Sequence, residues 1–105
     1  MINNVEVYDI ECYPNVWTYT GINAATGDVA QFEVSERINQ INQFRDHIRH
    51  LSFHDYKMIG FNNIGYDYPV IHAMMTQQHI TYAADIFVVS KRINQITIIT
   101  TTNTP

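Results

Sequence analysis

The spacing of apolar residues changes once along this chain, and that change limits the folds it can adopt. Between residues 5 and 34, apolar, β-branched and aromatic residues form three short runs, which predicts three strands. Pro14 and Asn15 separate the first two runs, and Gly27 and Asp28 lie before the third. Because short turns join antiparallel strands, we expect a three-strand antiparallel meander built from residues 5–11, 16–22 and 29–34.

After residue 34 the apolar residues recur at steps of three and four, and this period predicts helices. Ser35 is a suitable N-cap for the first helix. The run KMIGF at 57–61 predicts a short buried strand, and Pro69 fits the first turn of a second helix. The residues expected to face inward from these two helices are Ile38, Ile41, Phe44, Ile48 and Leu51, then Val70, Ile71, Met74 and Met75.

The end of the chain predicts one more helix, from Thr81 to about Asn94, and one more strand, ITIITTT at 96–102. The order β-β-β-α-β-α-α-β predicts an α/β fold, a mixed sheet with helices packed on it. A length of 105 residues predicts a single domain, residues 1–105. The residues expected to face inward from the third helix are Tyr82, Ile86, Val89 and Ile93.

Composition and charge narrow the classes of function. The formal net charge of -4 gives no broad attraction for nucleic acid, so such a substrate needs metal ions or another domain to offset its phosphates. The one cysteine, Cys12, excludes an intramolecular disulfide and favours a reducing, cytoplasmic location. The N-terminal residues lack the pattern of a signal peptide, and no apolar run reaches membrane-spanning length, so we expect no membrane partner.

Asp9 and Glu11, in the sequence DIECYPN, lie two residues apart on the first predicted strand. Side chains at this spacing point to the same side of a strand. Val5 and Val7 share that side, so we expect a core face, where a pair of carboxylates is costly. A divalent cation removes this cost, and Mg²⁺ and Mn²⁺ prefer oxygen ligands. The alternative is a solvated pair of acids at the end of a strand.

A second polar segment, NNIGYDYPVI at 62–71, follows the predicted strand KMIGF. Asp67 lies just before Pro69, where an aspartate is a favoured helix cap. Asn62 and Asn63 are ordinary turn residues. Taken alone, this segment therefore predicts a turn and a capped helix.

Taken together, the two segments resemble the DEDD family of 3′–5′ exonucleases, which have the ribonuclease H-like fold. Within that family they are most similar to the proofreading domain of phage family B DNA polymerases. Residues 9–11 (Asp-Ile-Glu) match the first motif of the family, Asp-x-Glu on the first strand. Residues 63–67 (Asn-Ile-Gly-Tyr-Asp) match the second motif, and Asn62 fits its longer spacing. The resemblance covers about residues 5–75.

The resemblance implies a metal-dependent 3′–5′ exonuclease that acts on the 3′ end of single-stranded DNA. Asp9, Glu11 and Asp67 are the implied catalytic residues and the implied ligands of two divalent cations, Mg²⁺ or Mn²⁺. The implied partners are the remainder of a DNA polymerase chain or replication proteins, in the host cell cytoplasm if the source is a phage. The residues implied to contact the 3′-terminal nucleotides are Asn62, Asn63 and Tyr66.

The third motif of the family, Tyr-x-x-x-Asp, does not follow Asp67. Tyr82 and Asp85 are one residue too close, and they precede the last predicted strand, whereas the motif should follow it. We therefore expect residues 1–105 to be the N-terminal part of a longer domain, with little or no activity alone. The alternative is an inactive interaction module, in which the strand at 96–102 leaves a sheet edge exposed to a second copy or a partner.

Three further patterns carry weaker predictions. His47, His50 and His54 lie near one face of the first predicted helix, as zinc ligands or as a solvated polar face. Cys12 follows the acidic pair, whose charge opposes a thiolate nucleophile. Residues 32–41 and 87–96 share eight of ten residues, and two copies of one helix-start sequence are one interpretation of this similarity.

Overall fold

Three antiparallel strands form at the start of the chain, as the sequence pattern predicts. The computed structural model describes the backbone of residues 4–60 and 64–103, and the side chains of residues 4–60 and 68–93. β1 spans Val5–Cys12, β2 spans Val16–Asn23 and β3 spans Val29–Ser35. The β1–β2 and β2–β3 pairs are both antiparallel, so the predicted meander is confirmed.

A fourth strand and three helices follow: α1 (Ile41–Phe53), β4 (Lys57–Gly60), α2 (Ile64–Thr76) and α3 (Ala83–Asn103). β4 pairs with β1 in the parallel sense, which gives the sheet order β3-β2-β1-β4. The sheet is therefore mixed, and the predicted α/β class is confirmed. None of the helices in the described residues is long and apolar enough to cross a membrane.

The hydrophobic core lies on one side of the sheet, which we call the helix face. Phe44 of α1 contacts Trp17 edge-on, with ring centroids 4.8 Å apart, and lies 5.0 Å from the ring of Tyr19. Residues of α2 and α3 belong to the same buried cluster, including Met74 and Ile86. The fully buried or nearly buried strand residues of this cluster are Tyr8, Ile10, Trp17, Tyr19 and Val34.

Asp9 and Glu11 lie on the opposite side of the sheet, which we call the open face. The expectation that they share a core face is wrong, because the alternate residues of β1 carry the cluster that packs on the helices. Of the residues on the open face, Val5 is buried, Val7 and Asp9 are half-buried, and Glu11 is exposed. The side of β1 that carries Val5 and Val7 is therefore not the side on which the helices pack.

Two helices begin at residues other than those predicted. Ser35 is not the N-cap of α1, because it ends β3 and pairs there with Val16. Instead the Asn39 side chain accepts a hydrogen bond of 3.1 Å from the backbone N–H of Ile41, which satisfies a donor in the first turn. Pro69 does not open α2 but is its sixth residue.

The inward-facing residues follow the prediction in most positions. Ile38 is exposed in the turn before α1, and Tyr82 is exposed before α3, so these two predictions are wrong. Met75, Val89 and Ile93 are half-buried against the core. The predicted inward residues that are buried are Ile41, Phe44, Ile48, Leu51, Val70, Ile71, Met74 and Ile86.

The last predicted strand is wrong, because residues 96–102 lie within α3. A helix that has already begun extends at little cost, and this cooperativity outweighs the β preference of isoleucine and threonine. The edge strand expected there for a homodimer is therefore absent from the described chain. The two similar segments also differ: residues 32–41 form strand, turn and the first residue of α1, whereas residues 87–96 are entirely helical. Local sequence does not decide the structure of either copy.

Candidate functional site

Asp9 and Glu11 lie on the open face near the carboxyl end of β1. Asp9 is paired with Thr20 of β2, and Glu11 is paired with Thr18. Directly opposed residues of an antiparallel pair have Cβ atoms about 5 Å apart. Two carboxylates and two hydroxyls therefore form one oxygen-rich patch on this face.

Sheet topology brings the start of α2 to the same end of the sheet. β1 and β4 are parallel, so their carboxyl ends lie together, and the last β1–β4 pair is Tyr8 with Gly60. Asp9 is the next residue of β1. Ile64, the first residue of α2, follows Gly60 by four residues, which span at most about 14 Å. Asp67 is the fourth residue of that helix.

The remaining residues of the predicted site lie outside what the structure describes. Asn62 and Asn63 fall between the two described ranges. Tyr66 is in the first turn of α2, and the side chains of Tyr66 and Asp67 are outside the described side chains. Convergence of Asp67 with Asp9 and Glu11 therefore stays a prediction.

The chemistry of the patch suits a hard cation. Carboxylate and hydroxyl oxygens are ligands of Mg²⁺ and Mn²⁺, whereas Zn²⁺ is held mainly by nitrogen and sulfur. Among the residues with described side chains, no group of three or more His, Cys, Asp or Glu residues could hold a metal ion. A metal site at this patch would need a third acidic residue beside Asp9 and Glu11, such as Asp67.

Asp85, the nearest match to a fourth carboxylate, has a structural role at the start of α3. Its Oδ2 accepts hydrogen bonds from the backbone N–H groups of Tyr82, at 3.0 Å, and Thr81, at 3.1 Å. These two bonds lower the pKa of the Asp85 carboxyl. This arrangement resembles half of a capping box, in which an acidic side chain in the first turn binds the N-cap N–H.

Replacing Asp85 tests this capping role. Asp85→Ala leaves two backbone donors without their acceptor, so we expect a loss of about 1 kcal/mol in the free energy of unfolding, measured by urea denaturation. Asp46→Ala is the matched control, because Asp46 only forms an exposed ion pair with Arg49, worth at most about 0.5 kcal/mol. Equal losses in the two variants would contradict the capping role.

A buried polar cluster, formed by Glu6, Tyr19 and His47, lies on the helix face, and no pattern in the sequence indicated it. The Glu6 carboxylate is 4% exposed and accepts a hydrogen bond from the Tyr19 hydroxyl. It also lies 2.8 Å from Nε2 of His47 in α1. Burial acts to raise the pKa of Glu6, but the hydrogen bonds from His47 and Tyr19 outweigh it and lower that pKa. The cluster has little access to solvent, so we interpret it as structural.

The histidines of α1 therefore do not act as one set. His47 is directed toward Glu6, whereas His50 and His54 lie next to each other with ring centroids 4.4 Å apart. Two adjacent imidazoles without a third described ligand do not form the predicted zinc site. The Cys12 thiol, on the helix face, donates a 3.7 Å hydrogen bond to Oγ of Ser90.

Comparison with known proteins gives no family assignment. No protein-family model matches this chain. No curated protein matches it either. The case for a function therefore rests on the residues and the topology of the chain itself.

A groove between α2 and α3 begins next to Asp67. It has a volume of about 560 Å³ and is lined by Tyr68, His72 and Arg92, together with apolar residues of both helices. The rings of Tyr68 and His72 are stacked, with centroids 6.4 Å apart and planes tilted by 22°. Exposed aromatic rings beside a cation are features that bind unpaired bases and phosphate.

Proposed function

We propose that this chain is part of a metal-dependent 3′–5′ exonuclease domain of the DEDD type, with a ribonuclease H-like fold. The observation that carries the proposal is the position of the Asp-x-Glu pair on β1, an inner strand whose parallel neighbour β4 leads into the helix that contains Asp67. Ligands of open α/β sheets bind at the carboxyl ends of parallel strands. Parallel pairing of β1 with β4 supports the proposal, because it directs the chain that carries the second motif toward the end of the sheet where a site is expected.

The proposed roles follow from the side chains. Asp9 and Glu11 hold divalent cations from the open face, and Asp67 completes the ligand set from the first turn of α2. When bound, two such cations supply the activation of a water molecule and the stabilisation of the leaving oxygen of a phosphodiester. The chain itself contributes three carboxylates on two rigid elements, which fixes the position of the charge.

The proposed substrate is the 3′ end of single-stranded DNA. Asn62, Asn63 and Tyr66 are the proposed contacts to the terminal nucleotides. The groove lined by Tyr68, His72 and Arg92 supports a path for unpaired bases away from the metal site. A net charge of -4 opposes general binding to nucleic acid, so the metal ions have to carry much of the attraction.

No fourth carboxylate of the family pattern follows Asp67. The Asp85 carboxylate already accepts hydrogen bonds from the backbone at the start of α3. We therefore expect this chain to bind metal without cutting DNA. In this proposal the missing group comes from the remainder of a DNA polymerase or from a replication protein, in the cytoplasm. The phosphodiester chemistry then depends on that partner.

Measurement of metal binding tests the proposed site directly. We expect calorimetric titration with Mn²⁺ to show binding to the unaltered chain and a loss of at least tenfold in affinity in Asp9→Asn and Asp67→Asn. Asp28→Asn, an exposed acid in the turn before β3, is the matched control and should bind as the unaltered chain does. Absence of Mn²⁺ binding, or equal binding by all variants, would refute the proposal.

A nuclease assay on single-stranded DNA labelled at its 5′ end completes the test. Metal binding without cleavage supports a site that lacks its last carboxylate. Stepwise shortening from the 3′ end that is lost in Asp9→Asn also supports the proposal, and it shows that another residue supplies the fourth ligand. Shortening that is unchanged in Asp9→Asn contradicts the proposal, because the activity then comes from elsewhere.

An inactive interaction module is the second candidate, and one observation favours it. The buried cluster that contains the described helix side chains lies on the helix face, whereas the open face carries exposed apolar side chains such as Ile22 and Ile59. A module of this kind has no need for metal at Asp9, so the same Mn²⁺ titration separates the two candidates.

A further inference from the structure

Four apolar side chains form one continuous row across the open face. Val7 of β1 is paired with Ile22 of β2 on one side and with Ile59 of β4 on the other. Ile22 is paired in turn with Val29 of β3. The row therefore crosses all four strands, and Val29, Ile22 and Ile59 are 59%, 45% and 50% exposed. We call these four residues the apolar row.

The apolar row is unusual for a sheet with one face exposed to solvent. Such a face is expected to be polar, and the next row along the strands follows that rule, with Asp9 paired to Thr20 and Thr20 paired to Gln31. Single exposed apolar residues are common, but a contiguous patch marks an interaction surface. Four directly opposed residues form such a patch.

We propose that the apolar row is a self-association surface, on which a second copy of this chain stacks sheet against sheet. The four residues are directly paired from strand to strand, so a twofold axis along the row lays the row of one copy on the row of the other. Stacked sheets lie about 10 Å apart, a spacing that encloses these side chains.

Two twofold axes bring the open faces together, one along the apolar row and one parallel to the strands. The positions of the charged residues favour the axis along the apolar row. An axis parallel to the strands would place the acidic rows of both copies, which contain Asp9, Glu11 and Glu33, over each other. An axis along the apolar row reverses the strand direction of the second copy. The acidic rows of one copy then lie on the opposite side of the apolar row from the acidic rows of the other copy. Asp9 then lies over Val5 of the partner subunit, next to Lys57 of the partner subunit, which is paired with Val5 in the same sheet. Like charges are kept apart in this arrangement.

The size of the face predicts a weak dimer. Three strands of seven or eight residues and β4, of four, cover at most about 19 by 25 Å. The interface then buries less than about 1,000 Å² in total, which is below the range of stable complexes. We therefore expect a dimer that dissociates at micromolar concentrations and that added salt strengthens, because salt screens the net negative charge of each copy.

Sedimentation velocity over a hundredfold range of concentration tests the proposal. We expect a monomer–dimer equilibrium that Ile22→Asp abolishes, with an unchanged far-ultraviolet circular dichroism spectrum as evidence of folding. Phe53→Asp is the matched control, since Phe53 is 84% exposed but lies at the end of α1. The proposed interface covers Asp9, so sedimentation is measured without metal ions, and a failure of the metal proposal leaves this one standing. A monomer at every concentration, or a dimer that Ile22→Asp leaves intact, would overturn the proposal.

Disulfide trapping tests the axis, and it does not depend on disrupting the dimer. In a Cys12→Ser background, Ile22→Cys places a thiol at the axis, so oxidation should yield a covalent dimer on a non-reducing gel. Thr18→Cys lies two rows away on the same strand and should not cross-link. Cross-linking through Thr18→Cys but not through Ile22→Cys would refute the proposed axis.

Discussion

Glu6→Ala is expected to lower the free energy of unfolding by about 3 kcal/mol, measured by urea denaturation at neutral pH. The Glu6 carboxylate is 4% exposed, accepts a hydrogen bond from the Tyr19 hydroxyl, and lies 2.8 Å from Nε2 of His47. Its removal leaves the Tyr19 hydroxyl buried without its acceptor. The same change removes the partner of a half-buried imidazole.

Glu11→Ala is the matched control for this prediction. It removes the same side chain from the same strand, but Glu11 is exposed on the open face, so the change should stay within about 0.5 kcal/mol. If the two variants lose the same stability, the buried cluster does not contribute to folding. That result would contradict its interpretation as a structural feature.

The pH dependence of stability gives a second readout of the same cluster. The folded-state pKa of Glu6 lies below its usual value of 4.5. Its contribution to stability is therefore complete above pH 4.5 and is lost as pH falls through the lowered folded-state pKa. Other acids also titrate in this range, so the measured quantity is the difference between the unaltered chain and Glu6→Gln. We expect this difference to shrink as the pH falls below 4.5.

The architecture was largely predictable because it follows from local patterns. The turn residues around Pro14 and Gly27 set the lengths of the first three strands, and the spacing of Phe44, Ile48 and Leu51 indicated which side of α1 is buried. The strand at 57–60 was visible as a short apolar run between polar residues. Each of these signals lies within a few residues of the element it predicts.

The side of the sheet that the helices cover was not predictable from the sequence. β1 has valines on one side and Glu6, Tyr8 and Ile10 on the other, and local polarity favours the valine side. The helices cover the side with Glu6, where Tyr8 and Ile10 are buried in the core and the carboxylate contacts His47, which is 41 residues away. A contact over that distance is set by the tertiary fold, so a pattern within one strand does not reveal it.

The sequence predicts which residues form the candidate site, and the structure describes only part of their arrangement. Asp9 and Glu11 share one face, as their spacing requires, and parallel pairing of β1 with β4 brings the start of α2 to the same end of the sheet. The role of Asp85 as a helix cap was missed. The signal for it was present, since an acid three residues after the N-cap position is a helix-start pattern.

Gly21→Ala is expected to lower the free energy of unfolding by about 2 kcal/mol, because the space beside this glycine is already filled. A Cβ atom at Gly21 would lie 2.6 Å from Cδ of Glu6 and 2.9 Å from Cε1 of Tyr19. Both neighbours are buried and held by their mutual hydrogen bond, so neither moves away at low cost. Gly60→Ala is the matched control, since its nearest neighbour is the Tyr8 hydroxyl oxygen at 3.4 Å, and it should change stability by less than about 0.5 kcal/mol.

A double-mutant cycle connects this glycine to the buried carboxylate. In a Glu6→Ala background the carboxylate is gone, and a Cβ at Gly21 meets only the ring of Tyr19. Gly21→Ala should therefore cost at least about 1 kcal/mol less there than in the unaltered chain, which is a coupling typical of residues in contact. Additive effects would mean that Tyr19 alone limits the space. Coupling of the expected sign would mean that β2 carries a glycine at this position because β1 carries a buried acid diagonally across from it, two residues before its partner Tyr8.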